Sequence, residues 1–97
     1  DAPIRVEGNV TQPEIIKRVE PRYTEMARRA RISGVVIAEA IIDKQGNVTN
    51  ARILRGLGGG LNEEAIEAVE KWKFKPATLN GRPVTVYFTL TITFKIK

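Results

Sequence analysis

Four glutamates, Glu63, Glu64, Glu67 and Glu70, lie close enough together to be weighed as an acid/base set. Their spacing is that of one exposed helix face, and Glu67 precedes Lys71 by four residues, where an ion pair forms along a helix. They read as a solvated face. Gly58-Gly59-Gly60 precedes that helix and has the form of a phosphate-cradling run. It lacks the Lys-Ser/Thr of a P-loop, and Glu63 and Glu64 stand where phosphate would sit, so it reads as a flexible connection. Asp43-Lys44-Gln45-Gly46-Asn47 has too few ligands for a calcium loop and no bidentate Glu at the required distance. It reads as a hairpin turn, with Gly46 at the positive-φ position. Glu39 lies mid-strand among apolar neighbours and is expected to be partly exposed, paired with Arg52 or another cation. The 97 residues include no Cys and no His, which removes thiol nucleophiles, thiolate zinc sites and imidazole bases. No catalytic constellation survives, and neither an enzyme, a cofactor nor a metal site is expected.

What remains is charge and surface. Lys and Arg number 16 against 11 Asp and Glu, for a net charge of +5, which favours an anionic partner. Arg28, Arg29, Arg31, Arg52, Arg55, Lys71, Lys73 and Lys75 can gather into a patch. This leaves one alternative function open, a basic structural module that binds cell-wall polymer or nucleic acid. Nucleic-acid recognition adds stacking aromatics or a groove-entering helix. Here Phe88 and Phe94 fall on the core face of their strand and only Tyr87 on its polar face. No nucleic acid is therefore expected.

The elements that position these residues follow from pattern. The length fits one domain, with residues 1–19 as an irregular or edge-strand extension and residues 20–97 as the domain proper. Ile4-Arg5-Val6 reads as a short strand. Ile15 to Val19 is apolar enough to pack down or join a sheet edge. Thr24 caps a short helix to about Ile32, ended by Gly34. Val35 to Asp43 and Val48 to Arg55 form a hairpin. Asn62 caps a second helix reaching about Lys73, with Ala65, Ile66, Val69 and Trp72 on its buried face. From Val84 to Lys97 apolar and polar residues alternate strictly, the mark of a strand with one buried face. At ~3.3 Å per residue this strand outruns its partners, so part of it projects or leaves backbone groups unpaired. The expected fold is α+β, an antiparallel three-stranded sheet with two helices on one face. No apolar run approaches the roughly 20 residues that span a bilayer. The start at Asp1 rather than Met reads as a processed or excised fragment.

Three stretches, in order and at matching intervals, resemble the TonB C-terminal domain family. They are Glu20-Pro21-Arg22-Tyr23 with Ala27 to Gly34, the turn from Asp43 to Val48, and Ala65 through Trp72-Lys73-Phe74-Lys75-Pro76. Thr24 stands where the family usually has Pro, and Glu20-Pro21 where it has Gln-Pro. The resemblance implies a periplasmic domain of an inner-membrane-anchored energy transducer. Its partners would be the N-terminal TonB box of outer-membrane transporters and, through upstream segments, a proton-driven motor. Capture would proceed by strand addition to the edge of the last strand. Tyr87, Thr89, Thr91 and Thr93 would flank the docked peptide, and Glu20, Pro21, Arg22 and Tyr23 would add contacts at the entry. Lys95 and Lys97 would guard the edge. The same edge permits homodimers by strand pairing.

Overall fold

The computed structural model describes residues 2–96, and Asp1 and Lys97 lie outside the described residues. The chain runs β1 (Ile4–Arg5), β2 (Glu14–Lys17), α1 (Glu25–Arg29), β3 (Gly34–Ile42), β4 (Val48–Arg55), α2 (Leu61–Val69), β5 (Lys73–Lys75), β6 (Thr78–Leu79), β7 (Arg82–Pro83) and β8 (Val86–Phe94). The main sheet has the order β1-β8-β3-β4, and two small ribbons, β2-β5 and β6-β7, flank it. The α+β class holds. The sheet differs from the three-stranded expectation because β1 adds a parallel fourth strand, pairing Ile4 with Val86 and Arg5 with Tyr87.

β3 and β8 pair antiparallel without interruption from Gly34↔Phe94 to Ile42↔Val86. Their period-2 patterns therefore coincide, and Val36, Ala38, Ala40 and Ile42 line up with Val86, Leu90, Ile92 and Phe94 on one buried face. Ala38 and Ala40 are small, which brings α2 close to the sheet. α2 contributes Leu61, Ala65, Ala68 and Val69 to the core, and Ala27, Trp72 and Phe74 complete it. Among the described residues, the opposite face of the sheet carries no helix. There Ile37, Glu39 and Ile41 stand beside Tyr87, Thr89 and Thr91.

Local chemistry explains the boundaries. Thr24 is extended at φ −68° and ψ 151°, and its hydroxyl accepts from the Ala27 N–H at 3.1 Å, which starts α1 as expected. α1 ends earlier than expected, at Arg29, and Arg31 takes a positive φ of 56°. The cap of α2 is Gly60, not Asn62. Asn62 instead accepts from the Leu57 N–H at 2.8 Å and ties down the connection. The Gly run allows close approach rather than phosphate binding, since a Cβ on Gly59 would stand 2.9 Å from the Ala27 Cβ. α2 stops at Val69, short of the expected Lys73. Past it, Trp72 turns into the core and Lys73–Lys75 pairs with Glu14–Lys17. The β3-β4 turn forms as read, with the Asp43 carboxylate accepting from the N–H groups of Gln45 and Asn47, both at 2.9 Å. Gly46 is fixed by contact as well as by its φ of 83°, because a Cβ there would meet the Phe74 carbonyl oxygen at 1.7 Å.

Candidate functional site

A sheet offers partners two edges, and here the two are built differently. The outer edge is β4 on one side. Its register against β3 slips twice, between Ile37 and Ala38 and between Ile41 and Ile42. Bulges twist an edge away from would-be partners, and an exposed charge such as Arg55 discourages them. β8 forms the other edge once β1 has ended. β1 covers only Val86 and Tyr87, so from Phe88 to Phe94 no described strand lies on the outer side of β8.

The main-chain groups of β8 divide between its two sides. The Ile4 N–H donates to the Thr85 carbonyl at 3.0 Å, so Thr85 turns its main-chain groups towards the β1 side. Main-chain groups alternate sides along a strand, and the β3-β8 register shows no slip. Tyr87, Thr89, Thr91 and Thr93 therefore face the outer edge, and Phe88, Leu90, Ile92 and Phe94 face β3. The hydroxyl side chains of the three threonines are exposed on the open face of the sheet. A ladder of N–H donors and C=O acceptors thus runs along β8, bordered by polar β-forming residues.

The expected entry residues divide. Pro21 and Tyr23 lie at the far end of this edge, lining a cleft of about 320 Å³ with Arg28, Lys95 and Ile96. Tyr23 is fixed there edge-on against Phe94 at 5.6 Å between ring centroids, and its hydroxyl donates to the Ile32 carbonyl. The Arg28 guanidinium lies 5.6 Å from the Tyr23 ring centroid. Glu20 and Arg22 border a separate depression against α2, beside Glu64, Glu67 and Lys71. Pro21 touches both.

Residues 19–96 match the family model for the Gram-negative bacterial TonB protein C-terminal. The chain belongs to the TonB C-terminal family. It is 37% identical over 90 residues to Protein TonB of Vibrio cholerae, covering 91% of this chain and 37% of that one. Protein TonB of Xanthomonas campestris pv. campestris is 32% identical over 77 residues, covering 78% of this chain and 34% of the relative. The solution structure of the Pseudomonas aeruginosa TonB CTD superposes with a TM-score of 0.66 at 26% identity, covering 94% of this chain and 90% of that one. The chain thus spans about a third of the length of these curated relatives. No helix among the described residues is long and apolar enough to cross a membrane.

The TonB C-terminal match begins after β1, and β1 supplies the second cation at Glu39, whose identity no sequence pattern gives. Glu39 is paired as expected with Arg52, whose Nη2 donates to Oε1 at 3.1 Å. It also accepts at Oε2 from Arg5 Nη1, at 2.8 Å. The Arg5 guanidinium lies 4.5 Å from the Tyr87 ring centroid. No spacing rule joins Arg5 to Glu39 across 34 positions of chain; only the parallel pairing of β1 does so. Hydrogen bonds from Arg5, then from Arg52, hold the Glu39 carboxyl below its ordinary value. A carboxyl depressed in the folded state contributes stability that is present above its unfolded value and is lost as pH falls through the folded one. Acidification through that lowered value is expected to release Arg5 and loosen β1. The amide shifts of Ile4, Arg5 and Tyr87 should then move together while Val36 and Ile92, buried farther along the same ladder, hold still. Shifts of all five moving only with global unfolding would rule out the carboxylate as the tie.

Proposed function

We propose that this domain is the docking end of a TonB-type energy transducer: it faces the periplasm and captures the N-terminal TonB box of outer-membrane transporters as an added strand on β8. One observation carries the reading, the ladder of outward main-chain groups at Thr89, Thr91 and Thr93 with no described strand beside it. The bulged and charged β4 edge supports the choice of β8. Family membership supports the class of partner.

Main-chain pairing supplies affinity that tolerates sequence variation, as one transducer serving several transporters requires. The pocket lined by Pro21 and Tyr23 receives the end of the docked segment, and the threonine side chains flank its length. A docked strand also resists tension, because several hydrogen bonds share the load and must break together. The pull originates in the proton-motive force at the inner membrane and reaches the domain through upstream segments of a longer protein. The same edge in two copies would support a strand-paired homodimer in competition with the transporter.

The test is a backbone NMR titration of the 97-residue chain with a synthetic peptide from the N-terminus of an outer-membrane transporter of the same organism. Shift changes along Thr89–Phe94 and at Tyr23 are expected. Changes confined to α1 and Lys71–Lys75, and produced instead by an anionic polymer, would overturn the reading in favour of a polyanion-binding module.

A further inference from the structure

Arg5 sits in a small built site on the open face of the sheet. The Glu39 carboxylate is 2.8 Å from its Nη1, the Tyr87 ring lies under the guanidinium, and Glu39 and Tyr87 also line an adjoining depression with Ile41, Asn50 and Arg52. Glu39 is held in place from the other side by Arg52, and its side chain is only 13% exposed. Carboxylate and ring face together accept one cation, by charge-assisted hydrogen bonding and by cation–π attraction. We propose that Glu39 and Tyr87 form a cation subsite beside the docking edge, that Arg5 is its resident occupant in the free domain, and that a peptide strand taking the full edge of β8 displaces β1. The preferred incoming strand then carries Arg or Lys opposite Tyr87. This proposal rests on strand docking at β8 and adds to it a competitor and a specificity position.

Three features support displacement. β1 occupies the continuation of the very ladder that is open at Thr89, since Ile4 takes the Thr85 carbonyl. Removing β1 extends the outward-facing series from Thr89, Thr91 and Thr93 to include Thr85 and Tyr87. Next, the hold is weak. β1 has two residues, both exposed, and the Arg5 side chain is itself largely in solvent, where ion pairs and cation–π contacts hold only weakly. Finally, the flap has a natural limit. Val6 and Val10 pack against the core, Val10 N–H closes a turn on the Glu7 carbonyl at 3.1 Å, and Thr11 N–H bonds the Thr78 carbonyl at 2.9 Å. The chain can peel before Val6 without unseating these anchored residues.

A self-occupied edge lowers apparent affinity by the fraction of molecules in which it is open. Opening β1 by Arg5→Ala is expected to tighten binding of the transporter peptide about fivefold. A peptide variant with Arg opposite Tyr87 should bind the Arg5→Ala chain more tightly than one with Ala there, and Glu39→Gln should erase that preference. A lock provides the second arm. Arg5 and Tyr87 are direct partners across the strands, whose spacing of roughly 4.8 Å suits a disulfide, and the chain has no other Cys. The oxidised Arg5→Cys, Tyr87→Cys chain should bind the peptide less tightly than the same chain after reduction. Peptide shifts on Thr89–Phe94 with equal affinity in wild type, Arg5→Ala and the oxidised pair would overturn displacement and leave docking intact. No shifts on Thr89–Phe94 in any of these chains would overturn docking itself.

Discussion

Replacing Trp72 by alanine is expected to lower the unfolding free energy by about 3–5 kcal/mol. Trp72 is 2% exposed, and its ring fills the junction where the end of α2, β5 and the N-terminal segment meet. Its Nε1–H donates to the Val19 carbonyl at 2.8 Å. The Phe74 ring lies 6.3 Å away, and the Arg18 guanidinium lies 4.8 Å from the Trp72 centroid. The substitution removes buried area, opens a cavity and orphans a carbonyl at once. Domains of this size hold only about 5–15 kcal/mol in total, so the variant should melt tens of degrees lower. Trp72→Phe separates the terms. It keeps most of the fill and loses the N–H, so it should cost about 1–2 kcal/mol for the unpaired carbonyl plus a smaller cavity term. Urea unfolding followed by circular dichroism measures both. Equal losses for Phe and Ala would show that the hydrogen bond to Val19, and not the ring, holds the junction.

Trp72 also shows where the sequence was legible and where it was not. Its burial was readable from helical spacing with Ala65 and Val69. Its place beyond the helix was not, because the pull on Lys73–Lys75 comes from Glu14–Lys17, nearly sixty residues earlier in the chain. Periodicity reports a residue's own face and says nothing about a distant strand. The long alternation from Val84 onward fixed which side of β8 is buried. It could not say which residues aim their N–H groups outward, since that depends on the side from which β3 pairs. The Asp43 turn was local and was readable in full. The Glu39 cluster was half readable: an acidic residue among apolar neighbours demands a cation, and Arg52 is opposite in the hairpin. Arg5 arrives through a two-residue strand that was readable at Ile4-Arg5-Val6, but its parallel pairing with β8 leaves no mark in local pattern. The entry segment was read as one unit, yet its alternate residues part to two sides of the chain, Tyr23 towards β8 and Arg22 towards α2.

Proline substitution at two adjacent positions of β8 should have opposite consequences. Leu90 is 3% exposed and stands opposite Ala38 in the ladder. Its N–H faces β3, so Leu90→Pro removes a ladder hydrogen bond, a buried side chain and the strand geometry together. Central strands do not accommodate this, and the chain should lose its dispersed NMR spectrum. Thr91 is exposed, and its N–H faces the open edge. Proline is tolerated at an edge when the missing N–H faces solvent, and natural sheets use it there to block unwanted pairing. Thr91→Pro should therefore fold with a modest loss of stability. A docked strand would lose one donor, worth about 0.5–1.5 kcal/mol, and would also meet the ring where the ladder needs close approach. Peptide affinity should fall about tenfold or more. A folded Thr91→Pro chain that binds the transporter peptide as tightly as wild type would exclude the β8 edge as the docking surface. A folded Leu90→Pro chain beside an unfolded Thr91→Pro chain would instead reverse the assignment of which residues face outward. The pair of variants thus tests the geometry of the edge separately from its use.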